Sequence, residues 1–412
     1  MKTPSIGRME AFQNRDARSF NGQIMKGKVL SFDGKNHAFV ELFGRVVRAE
    51  IEVPLKAGAS YLFEWFKEGE GVRLRMLKEW LPDTSSRLSA IESSIRRLGL
   101  PISDKSAQIV ELFLKREWPL HAQTVKQAIE WFSEPPSSDE IKSFESLLFK
   151  GLPLKTSLFK ALTSSSHDKP VDFNLRLAGM LNRMGAASPA IKQLDSLLKT
   201  WPTIFQVVER TSGEWLKDIL VKMGYFHEAN IYTRLENNQP LNVTAFDNLK
   251  ALLLNVLKSQ APHTEEIRGL LQHITGQQLQ AISSDHNIIQ FLFSFPIRFG
   301  HHFKTIDLSW EGRRGPDGEM EKDFCKVVCR LDLSRWKETV LHILVQKRIV
   351  TLTIFNDHPE LKRVIDRYRP VLEQRLNDLG YQVATVKQEI GAMETAHAAL
   401  FRRTTGDMDV KV

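Results

Sequence analysis

The sequence predicts a multidomain α+β protein: a small N-terminal β-barrel, a central α-helical array, and a C-terminal α+β domain with one helix packed on a mixed sheet. Three observations predict it. From Gly22 to Leu77, short runs of alternating apolar and polar residues are cut by glycine turns. From Ser85 to about Asp285 the apolar period is 3.6 almost throughout. From Ile288 the period returns to two, switches to steps of three and four after Leu361, and ends on a last alternating run. A chain of 412 residues is too long for one core. It divides into a flexible N-terminus (1–20), the barrel (21–80), the helical array (81–285), the α+β domain (286–395) and a tail (396–412).

Composition sets the class. Apolar residues make up 42% and charged residues 26% of the chain, as in ordinary soluble globular proteins. The net charge is +8, and only residues 1–80 are noticeably basic, with 14 basic against 10 acidic side chains. The opening stretch lacks an apolar core and is not a secretory signal. No apolar run approaches the roughly 18 residues of a membrane span. Cys325 and Cys329 are the only cysteines. On one strand they share a face about 13 Å apart, too far for a disulfide, and two thiols alone make no zinc site. A cytoplasmic protein is expected.

The barrel strands are read at Gln23–Phe32, His37–Phe43, Arg45–Val53, Tyr61–Phe66 and Val72–Leu77. Asp33-Gly34, Gly44, Pro54 with Gly58, and Glu68–Gly71 punctuate them. An oligonucleotide-binding-like barrel is one fold of this kind. Lys26, Lys28, Arg45, Arg48, Arg73 and Arg75 are interleaved with Phe32, Phe39, Phe43, Phe63, Trp65 and Phe66. Bases and aromatics in that mixture can neutralise and stack a single strand of nucleic acid. The simpler account puts the aromatics in the barrel core and the bases on its wet face.

In the array, Leu88, Ile91, Ile95 and Leu98 form one helix stripe, closed by Gly99 and Pro101. Ser137–Glu140 is a capping box ahead of Ile141, Phe144, Leu147 and Leu148. Ser188-Pro189 opens another helix, and further stripes lie at Trp215–Met223 and Phe246–Leu257. Leu100-Pro101-Ile102, Trp118-Pro119-Leu120 and Leu152-Pro153-Leu154 each precede a helical pattern, which suggests short helices packed as hairpins.

In the last domain, Ile288–Ile297 and Phe303–Trp310 alternate, and Glu311–Gly318 reads as a hairpin loop, because no helix follows it to hold a phosphate. Val328–Leu333, Thr339–Val345 and Ile349–Phe355 are strands, with Gln346-Lys347-Arg348 as a turn. Asn356-Asp357, with Pro359 and Glu360, starts a helix through Leu361, Val364, Ile365, Tyr368, Leu372, Leu376 and Leu379 that stops at Gly380. Pro370 is expected to kink it. Tyr381–Val386 returns as a strand.

This order resembles the C-terminal domain of the flagellar hook-length control protein family. The matching residues are Leu331, Trp336, the hairpin Thr339–Phe355, and Leu376, Leu379 and Gly380. Of the family's Leu-x-Pro-x-x-Leu-Gly stretch, the proline falls on Leu333 and the glycine on Lys337. The resemblance covers about the last quarter of the chain. It implies a non-enzymatic partner protein of type III export, binding the cytoplasmic domain of an export-gate protein and itself a candidate for export. The family's middle is a long low-complexity segment; here it is a helical array, which points to a divergent relative. Arg363, Arg367, Arg369, Trp336, Lys347 and Arg348 are the candidate partner-binding residues. The alternative is a single-stranded nucleic-acid-binding protein using the barrel.

No catalytic, cofactor-binding or metal-binding residue is assigned. His301-His302 points to opposite faces of a strand and reads as a surface pair. Glu266 and His273 are two helical turns apart and read as a solvated face with a base near a helix end.

Overall fold

The computed structural model describes residues 22–33, 36–42, 45–68, 71–81, 83–165, 189–201, 214–240, 247–258, 264–282, 288–299, 302–316, 318–393 and 396. The chain forms two compact units, 1–138 and 139–412.

In the first unit, β1 (Ile24–Phe32), β2 (His37–Leu42), β3 (Arg45–Ile51), β4 (Ser60–Glu68) and β5 (Gly71–Glu79) close a barrel in the order β1-β2-β3-β5-β4. All pairings are antiparallel except β3 with β5. That is the Greek-key arrangement of an oligonucleotide-binding-like barrel. Alternate side chains fill it: Met25, Val29, Val40, Phe63, Trp65 and Leu74 are all fully buried. Gly27 belongs to this interior. A Cβ there would press on Leu42 at 2.6 Å and Val40 at 2.9 Å.

Among the described residues, the unit also holds α1 (Thr84–Arg97), α2 (Asp104–Lys115) and α3 (Ala122–Trp131). Asp83 caps α1 by accepting a hydrogen bond from the Ser86 amide at 2.8 Å, and that bond, with Ser85, holds its pKa down to about 2. The segment before α3 adds to the barrel. Ile24 and Leu120 exchange both backbone hydrogen bonds, at 3.1 and 2.8 Å. The apolar–Pro–apolar triplet Trp118–Leu120 thus packs against β1, with Trp118 buried edge-on against Phe113. The helical periodicity spans 81–285 as one stretch, whereas the contacts group its first three helices with the barrel.

The second unit holds α4 (Ser138–Phe149, whose first residue lies at the boundary), α5 (Thr156–Ser164), α6 (Pro189–Lys199), α7 (Glu214–Met223), α8 (His227–Glu236), α9 (Leu249–Lys258) and α10 (Thr264–Gln280). Its sheet is ordered β11-β10-β9-β8-β7-β6. The strands are β6 (Ile288–Phe299), β7 (His302–Arg314), β8 (Met320–Leu333), β9 (Lys337–Gln346), β10 (Ile349–Phe355) and β11 (Gln382–Glu389). The sheet is antiparallel except for β10 with β11, which α11 (Leu361–Asp378) connects. Helices α6, α7, α9 and α10 bury Phe293, Phe295, Ile297 and Ile306 on one face at the β6–β7 end. Helix α11 covers β9–β11 on the same face. On the other face Val328, Val340 and Phe355 are packed by Ala392, Met393 and Ala396.

Two local readings need correction. Asn356 does not cap α11. Fully buried, it donates to the Trp336 and Glu338 carbonyls at 2.7 and 3.0 Å and to Thr339 Oγ1 at 2.8 Å. Its Oδ1 accepts from the His358 amide at 2.8 Å. It ties the end of β10 to the start of β9, and α11 begins only at Leu361. His273 is not on a solvated face. It is buried, with Nε2 2.8 Å from Gln277 and Nδ1 3.3 Å from the Ser164 carbonyl, because α10 runs on for two further turns beside α5 and β6. The Gly-rich stretch is a hairpin, Gly315 donating to the Glu319 carbonyl at 2.7 Å. His301, Ser188 and Phe43 lie outside the described residues.

Candidate functional site

The barrel surface has a covered side and an open one. Ile24 and Leu62 point away from the barrel core yet are 2% and 1% exposed. On that side α1 and the connection after α2 reach the barrel: Arg97 pairs with Glu64 at 2.5 Å, Lys78 donates to Ser89 at 2.5 Å, and Lys26 pairs with Glu117 at 3.4 Å. The far half of β1, with β2 and β3, stays open. There a register shift in β1 turns Leu30 outward, 40% exposed, and Phe32 stands at the rim, 42% exposed. Phe39, half-buried, lies between Ser31 and Arg48 in the strand register, and Lys28 is exposed.

The predicted basic and aromatic set is sorted by this geometry. Phe63 and Trp65 line the core and are unavailable to a ligand. Phe66 is half-buried under Arg75, whose guanidinium carbon sits 4.8 Å from the ring centre. Arg45 belongs to β3 by its backbone. The arginines are partnered: Arg48 with Asp33 at 2.6 Å, Arg73 with Glu50 at 3.7 Å, Arg75 with Glu52 at 3.6 Å and Glu64 at 3.8 Å. The sequence reading missed these carboxylates, since Asp33 was legible only as turn punctuation. Exposed pairs of this kind are worth about 0–1 kcal/mol each.

A family model for the TP0910 S1-like domain matches residues 10–75. The barrel is therefore S1-like, in keeping with its strand order. The uncharacterized protein YlqG of Bacillus subtilis (strain 168) is 19% identical over an alignment of 546 residues, covering 96% of this chain and 95% of that relative. The likeness thus runs through both compact units. No solved structure matches.

The six candidate residues of the C-terminal domain do not form one spot. Trp336 packs edge-on against His358, 4.8 Å between ring centres, with Arg335 over it. Lys347 and Arg348 form the two-residue turn at the other end of β9, both with positive φ. Ten residues of strand put roughly 30 Å between the two ends. Arg348 pairs with Asp323 at 3.1 Å and lies over Tyr381. On α11, Arg363 and Arg367 are exposed and Arg369 pairs with Glu373 at 2.6 Å. Beneath the last turns of α11 is an apolar cleft of about 160 Å³ that no sequence pattern announced, lined partly by Tyr381 and Val383.

The thiols offer no nucleophile. Burial, with Asp307 nearby, pushes Cys329 up to about 12, and burial raises Cys325 as well. Among the described residues no three metal-ligating side chains cluster, and no helix is long and apolar enough to cross a membrane.

Proposed function

We propose that this chain is a binding protein that takes single-stranded nucleic acid on the open face of its S1-like barrel. The observation that carries this is the division of the barrel surface: helices close the β1–β4 side and leave Leu30, Phe32 and Phe39 beside Lys28 and Arg48. Stacking aromatics with nearby cations is the general chemistry of single-strand recognition. The test is fluorescence anisotropy of the full chain on a labelled oligonucleotide across a salt series. Binding should weaken as salt rises, since each phosphate contact releases a counterion. A combined Phe32→Ala and Phe39→Ala change should cost about 1–3 kcal/mol per lost stack. No binding at low salt would sink the proposal.

The hook-length resemblance is a second proposal, confined to residues 286–395. It is supported by the succession β8, β9, β10, α11, β11, the order the resemblance requires. A pull-down between the full chain and the cytoplasmic domain of an export-gate protein tests it, and absence of retention counts against it.

A further inference from the structure

The cleft under α11 is lined entirely by apolar atoms: Ile343, Val345, Val350 and Leu352 from the sheet, Leu372 and Leu376 from the helix. The cleft measures about 160 Å³, room for one ring-sized side chain. The helix above it is lightly seated. Leu361 is its one buried residue among those described, while Val371 and Leu379 are 49% and 60% exposed.

The mouth of the cleft is basic. Lys347 and Arg348 occupy the adjoining turn, Arg375 precedes Leu376, and Arg369 lies one to two turns up the helix. Asp323 and Glu373 balance Arg348 and Arg369, which leaves Lys347 and Arg375 to set the sign against Asp378. An apolar socket with a cationic rim fits an anchor side chain flanked by acidic residues.

We propose that this cleft docks an acidic polypeptide partner, which inserts one apolar side chain of ring size between Leu376 and Val350. The site is separate from the barrel face and does not require an export-gate partner. The test uses the full chain with labelled Ile, Leu and Val methyl groups, titrated with an acetylated, amidated Glu-Asp-Phe-Asp-Glu peptide and observed by NMR. Shifts at Val350 and Leu376 are expected, at least tenfold weaker when the peptide's Phe is Ala or its acids are lysines. Leu376→Trp, which fills the cleft from the helix side, should abolish them. If that variant fails to fold, Lys347→Glu with Arg375→Glu should weaken binding at least fivefold. Absence of shifts, equal binding of the basic peptide, or unchanged binding by the charge-reversed chain overturns the proposal. Toluene binding as tightly as the peptide also overturns it, in favour of a small-ligand site.

Discussion

At the scale of single residues, the buried polar groups decide most. Asn356 satisfies three acceptors and one amide where the end of β10 meets the start of β9. Asn356→Ala leaves those groups buried without it, and should cost about 2–3 kcal/mol, read as a lower urea midpoint of the second unit. His227 and His342 are each held below pH 6.5 by burial, Lys250 adding to the effect on the first and Lys326 on the second, while Glu228 and the Ala396 carbonyl oppose it. Unfolding frees both to bind protons, so stability should fall as pH drops through and below 6.5. Glu228 extends the loss. Burial favours its neutral form, but Lys250, 2.5 Å away, and Gln278 bring its pKa below 4.5. The stability it gives above 4.5 disappears as pH falls through its folded value. A urea midpoint unchanged between pH 7 and 5 would contradict this. None of it was legible in the sequence: Asn356 looked like a helix cap and His273 like a surface base. Short polar side chains next to a helix pattern look the same whether they cap it or hold a corner beside it.

At the scale of elements, periodicity carried the strands and helices but not what covers them. The turn Lys347-Arg348 and the hairpin Gly315–Glu319 fell where the polar and glycine signals put them. The cleft beneath α11 had no signal, because Leu372 and Leu376 read as core whether their partner touches them or stands off. Pro370 sits within α11, where it withholds a hydrogen bond from the Asp366 carbonyl. It is exposed, so Pro370→Ala should restore the bond without repacking and stabilise the unit by about 1–3 kcal/mol. Differential scanning calorimetry of the full chain checks this. An unchanged or lower transition for the second unit would show that the helix relies on the proline's rigidity. Gly276 marks the opposite extreme of packing, where α10 lies so close to α5 that a methyl group would strike the Ala161 carbonyl.

At the scale of the whole molecule, the contacts gather into two compact units, with the boundary at Ser138 and Asp139. Helical period identifies an apolar stripe but not its partner, so α1–α3 and α4–α10 look alike in sequence. What separates them is long-range: the Ile24–Leu120 bridge and the Glu64–Arg97 pair. Residues 1–138 produced alone should therefore melt in one cooperative step, whereas residues 1–80, with Ile24 and Leu62 uncovered, should aggregate or melt far lower. Equal stability of the two fragments by circular dichroism would refute that.

The Ile24–Leu120 bridge also constrains how such a barrel can travel between genes. A recombination breakpoint just after Glu79 would carry off five strands with their outer apolar patch bare and the edge of Ile24 unpaired. A breakpoint near Ser138 transfers the barrel together with the helices that seal it. A unit that folds with its outer patch covered is thus longer than the five strands alone, and transplanting 1–138 should succeed where transplanting 1–80 fails.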